Sequence, residues 1–71
     1  PPVLEVVWSE IAMQQLQDSD LNQDLVEQTV AQDPRPAYQN IPDRLYYMQI
    51  SGYEVQFKID GKQAEIVFLT K

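Results

Sequence analysis

Side chains that usually carry chemistry are thin in this 71-residue sequence. It has no Cys and no His, which removes thiolate nucleophiles, imidazole bases and the usual zinc ligands. Carboxylates, four tyrosines and five cationic side chains remain. The best candidates for a site are Lys58, Tyr47 and Glu54, which share one face of a strand pair, with Arg44 near its mouth. Glu54 has the chemistry of a general base, but one Lys beside two or three carboxylates makes a poor phosphate clamp. Lys58, between Gln56 and Asp60, also reads as ordinary exposed strand surface. Nothing in the pattern calls for a cofactor or a metal ion.

These residues are positioned by the stretch from Leu45 to Leu69, which reads as three antiparallel strands. Ser51-Gly52 closes the first hairpin and Asp60-Gly61 the second, since Gly accepts positive φ without steric cost. Alternation puts Tyr53, Val55, Phe57 and Ile59 on one face and Glu54, Gln56, Lys58 and Asp60 on the other. A two-residue first turn pairs Ile50 with Tyr53, Met48 with Val55 and Tyr46 with Phe57. A two-residue turn at Asp60-Gly61 pairs Phe57 with Ala64, Val55 with Ile66 and Tyr53 with Phe68. A four-residue loop over 60–63 keeps the faces and changes the partners. The open face then carries Tyr47, Gln49, Glu54, Gln56, Lys58, Glu65, Val67 and Leu69. Of these, Tyr47, Gln49, Val67 and Leu69 are the candidates for binding a partner.

Upstream, Val3 to Trp8 is rich in β-branched residues and reads as a strand covered on both sides, with Trp8 as a core anchor. Ser9 is a suitable N-cap for a first helix carrying Ile11, Ala12, Met13 and Leu16. Asp20 and Gln23 suggest a capping box for a second helix, with Leu21, Leu25, Val26 and Val30 as its apolar positions. Asp33-Pro34-Arg35-Pro36 ends that helix, and residues 37–44 form an irregular connection.

The length predicts a single domain over residues 1–71, with a core that is marginal at this size. Pro1-Pro2 without Met reads as a processed or trimmed start. There is no apolar run of about 20 residues and no signal-peptide pattern, which fits a cytoplasmic location. The net charge is -6. Residues 1–33 hold Glu5, Glu10, Asp18, Asp20, Asp24, Glu27 and Asp33 and no Lys or Arg. On charge alone, free nucleic acid is not expected as a partner.

The order of strand, two helices, Pro-broken loop and meander resembles the RelE/ParE superfamily of bacterial toxins. The residues that carry the resemblance are Val6-Val7-Trp8-Ser9, Asp33-Pro34-Arg35 and the run from Leu45 to Asp60. It implies an α+β fold in which a three-stranded antiparallel meander carries both helices on one face. Active RelE-like members cleave mRNA on the ribosome, and ParE-like members act on gyrase. This chain has Gln49 and Glu54 where the family commonly has Arg, and no basic C-terminal tail follows Thr70-Lys71. RNA cleavage needs a base, an acid and cations around the phosphorus. The resemblance therefore implies a toxin homologue with a lost or weakened site, leaning away from an enzyme, that binds an antitoxin-like protein. The alternatives are an active ribosome-dependent endoribonuclease and an unrelated small adaptor or homodimer.

Overall fold

The structure, a computed structural model, describes residues 3–34, 41 and 43–71. Its elements run β1 (Glu5–Trp8), α1 (Glu10–Gln17), α2 (Gln23–Ala31), β2 (Tyr46–Ile50), β3 (Tyr53–Asp60) and β4 (Gln63–Thr70). The strands form one four-stranded sheet in the order β1-β4-β3-β2. β1 pairs parallel with β4, and the other two pairs are antiparallel. The expected architecture, a RelE/ParE-like antiparallel meander of three strands with helices laid on it, is therefore corrected to a mixed sheet of four. The reason is backbone accounting: an open β4 edge and an unpaired β1 would each leave a row of N–H and C=O groups unsatisfied. Parallel pairing is open to β1 because the helices supply the long crossover that it requires.

β1 is consequently an edge strand, half-buried rather than covered on both sides. Leu4, just before it, is buried in the core, and Val6 and Trp8 pack against it. Trp8 also donates its indole N–H to Glu27 Oε2 on α2 at 2.7 Å.

Ser9 caps α1, accepting from the Ala12 backbone N–H at 3.0 Å. α2 starts from a different cap than expected. Asn22, not Asp20, accepts from Leu25 N–H at 3.0 Å. Asp20 instead accepts from the Tyr53 hydroxyl at 3.2 Å, tying the interhelical turn to β3. α2 ends at Ala31, whose carbonyl accepts from both Val3 and Leu4 N–H. Pro34 follows, and Asp33 between them has φ 57°. The expected stripes overreach at Ile11 and Leu25, which are 58% and 44% exposed. Most of the Pro-rich connection, Arg35 included, lies outside the described residues.

Ala12, Leu16, Val26 and Val30 from the helices meet Tyr46, Ile50, Val55, Phe57, Ile59, Ala64 and Ile66 from the strands in a single core. Tyr46 and Phe57, opposite each other on β2 and β3, stack with ring centroids 5.7 Å apart.

Candidate functional site

The sheet face turned away from the helices collects the polar side chains. The β2–β3 register has Tyr46 opposite Phe57, Met48 opposite Val55 and Ile50 opposite Tyr53. Ser51 and Gly52, both at positive φ, make the turn that fixes it. Parity then puts Tyr47, Gln49, Glu54, Gln56 and Lys58 on the helix-free face.

β4 differs from expectation twice. Its turn centres on Gly61-Lys62, because Asp60 still pairs with Gln63. Ile59 faces Ala64 and Phe57 faces Ile66, the partners of the longer-loop alternative. Beyond Ile66 the register slips. Gln56 faces Phe68 and Val55 faces Leu69, so Val67 is the extra residue of a β-bulge. The bulge is held by helix α1, since the Ser9 hydroxyl donates to the Val67 carbonyl at 2.9 Å while accepting the cap bond from Ala12. One extra residue reverses the faces that follow. Leu69, a candidate partner-binding residue, is a core residue at 4% exposure, and its N–H donates to Gln15 Oε1 at 2.8 Å. Phe68 takes its place outside, 39% exposed. Within Ile66-Val67-Phe68-Leu69 no polar residue marks the parity, so periodicity carried no signal of the exchange.

The remaining candidates fall as follows. Tyr47 is 58% exposed, directly across from Gln56. Gln49 is exposed and faces Glu54, whose Oε1 accepts from Gln56 Nε2 at 3.3 Å. Lys58 is half-buried and faces Glu65. Val67 is half-buried at the bulge. Arg44 is not at the mouth of this face: its guanidinium lies over the ring of Tyr46, a core residue, 5.9 Å from the centroid. The structure thus brings together Tyr47, Gln49, Glu54 and Lys58, removes Leu69 and Arg44, and adds Phe68. No group of three or more Asp or Glu among the described residues is arranged to hold a metal ion.

Against known proteins, the family model of the TrmO C-terminal domain matches residues 1–71. A tRNA (adenine(37)-N6)-methyltransferase from Eikenella corrodens is 48% identical over 68 residues, a match that takes in 93% of this chain and 38% of the relative. The crystal structure of TrmO from Pseudomonas aeruginosa superposes with a TM-score of 0.80 at 27% identity, covering 100% of this chain and 34% of that one. Another TrmO crystal structure gives 0.77 at 25% identity, over 100% of this chain and 35% of that one. The chain therefore spans well under half the length of these relatives.

These matches overturn the RelE/ParE resemblance and what hung on it. The antitoxin-like partner, the ribosome or gyrase target, the degenerate or active endoribonuclease and the unrelated adaptor are all set aside. So is the lean away from an enzyme, since the curated relative is a methyltransferase by name. The motif misled because a strand–helix–helix–meander order with a Gly-aromatic turn is a packing solution that unrelated families share. Residues 1–71 belong to the TrmO C-terminal domain family.

Proposed function

We propose that this chain works in the N6-methylation of adenine 37 of tRNA, as the C-terminal domain of the methyltransferase that performs it. The observation that carries this reading is the 48% identity to a protein named for that reaction. A tRNA is then the partner, which corrects the expectation that free nucleic acid is not one. That expectation weighed the charge of these 71 residues only, and charge governs phosphate contacts rather than contacts to bases.

Methyl transfer to an exocyclic amine needs a donor with an electrophilic methyl group and a group to take the amine proton. The described residues do not fit a donor cradle. The β1–α1 junction, Trp8-Ser9-Glu10, has no glycine for close backbone approach, and its hydroxyl is committed to Ala12 and Val67. Both glycines lie in hairpin turns. The contribution of this chain belongs to the RNA side of the reaction. The core that joins both helices to the sheet supports reading residues 1–71 as one domain. No helix of the described residues is long and apolar enough to cross a membrane, and a tRNA-modifying role supports reading the protein as cytoplasmic.

The test is genetic and chemical. Deleting the encoding gene and digesting bulk tRNA to nucleosides should show loss of N6-methylated adenosine from position 37, restored by the intact gene. An unchanged nucleoside profile in the deletion strain would sink the proposal.

A further inference from the structure

The helix-free face carries a feature that the methyltransferase reading does not itself call for. Tyr47 on β2 and Phe68 on β4 are exposed aromatics, 58% and 39%. Both are cross-strand partners of one residue, Gln56 on β3, so the three side chains stand in a single row across the sheet. Strands two apart are separated by about 10 Å. A flat ring centred between Tyr47 and Phe68 would lie about 5 Å from each, inside the range at which aromatic rings stack.

We propose that Tyr47 and Phe68 are the two walls of a slot for one unstacked nucleobase of the tRNA, with Gln56 as its floor. The inference rests on the functional reading above and names the contact that this domain makes in it. Chemistry selects a base rather than other occupants. Gln56 Nε2 already donates to Glu54, which orients the amide. Its other amide hydrogen and its carbonyl oxygen are left to read a base edge. Glu54 and Glu65 stand on the same face with Lys58, so the surface disfavours a phosphate chain. The uncharged base is the part of an RNA that it can take, since stacking needs no cation. A protein partner would instead want a continuous apolar centre, and here Gln56 divides the two rings.

The test uses the full-length protein with bulk tRNA from the deletion strain as substrate. Tyr47→Ala and Phe68→Ala should each raise KM for tRNA roughly 5- to 150-fold, the loss of one base–aromatic stack. The rate at saturating tRNA should stay within about twofold, because a stack made equally in the bound ground state and the transition state lowers KM and leaves the rate at saturation unchanged. The salt dependence of binding should keep its slope, because no phosphate contact is lost. Tyr47→Phe and Phe68→Tyr preserve the rings and should restore wild-type KM, which separates stacking from any folding defect. If the wild-type protein methylates the tRNA and both alanine variants match it in KM, the slot is wrong while the functional reading stands. If the alanine variants change the oligomeric state rather than tRNA binding, the face is a protein interface and the slot is equally wrong. If the wild-type protein neither binds nor methylates the tRNA, the functional reading fails and the slot falls with it.

Discussion

Two stacked neighbours respond to truncation in opposite directions. Phe57 is 2% exposed, in the centre of the core. Phe57→Ala should destabilise by about 3–5 kcal/mol, from lost burial plus the cavity left behind. In a domain with this little core, that is enough to unfold most of the population, visible as loss of a cooperative melt. Its stacking partner Tyr46 carries a buried hydroxyl with no hydrogen-bond partner among the described residues. An unsatisfied buried hydroxyl costs about 1–3 kcal/mol. Tyr46→Phe should therefore be neutral or stabilising by up to about 1–2 kcal/mol on that account, read as an unchanged or raised urea midpoint. A clear fall in midpoint would mean that the hydroxyl has a partner of its own. At this scale the sequence is legible where polar and apolar residues alternate, as from Tyr53 to Asp60, because each polar side chain marks its face. It is illegible at Phe68 and Leu69, where four apolar residues run together and only the bulge decides which is core.

Among the described residues, identifiable polar bonds join the elements, so single straps can be tested. Trp8 on β1 donates to Glu27 on α2, and Gln23 Nε2, one turn earlier on the helix, donates to the same carboxylate oxygen at 2.9 Å. Glu27→Ala should cost about 1–2 kcal/mol, since a half-buried indole N–H then lacks its charged acceptor. Trp8 is the sole tryptophan, so its fluorescence reports the edge strand directly. A red-shifted emission before global unfolding is expected, and an unchanged spectrum and midpoint would show that the strap contributes nothing. The elements themselves were largely readable, because β-branched runs, the Ser9 cap and Gly turns act locally. The β2–β3 register was readable because its turn leaves one solution. The partner of β1 was not, since parallel pairing joins residues nearly a chain length apart and leaves no local mark. The Asn22 cap was missed because Asp20 offers the same chemistry two residues earlier, and only the tie from Asp20 to Tyr53 takes it away.

For the molecule as a whole, the charge distribution is the controlling quantity. The net charge is -6, and every Lys and Arg lies after residue 33. The molecule measures 33 × 24 × 20 Å. The screening length is about 30 Å at 0.01 M salt and about 8 Å at 0.15 M. Repulsion among the carboxylates of the helical half therefore spans the molecule in the first case and is local in the second. Raising salt between those limits should lift the melting temperature by about 2–4 °C, equivalent to roughly 0.5 kcal/mol for a domain of this size. A fall would mean that surface ion pairs outweigh the repulsion. Family membership was out of reach from these properties. Charge and patterning constrain packing, and many families pack a small sheet under two helices. The pairing of Tyr47 with Phe68 was hidden for the same reason as the bulge that creates it.

The bond from Ser9 to the Val67 carbonyl joins residues 58 positions apart. During synthesis at about 5–20 residues per second, the first strand waits roughly 3–12 s for the last one to be made. Through that interval Val6-Val7-Trp8 is an apolar segment with its mate still untranslated. The sheet closes only when β4 arrives, so this segment of the nascent chain is most exposed to chaperones and proteases just before β4 is made. A premature stop anywhere before Val67 leaves β1 without its partner as surely as it removes β4.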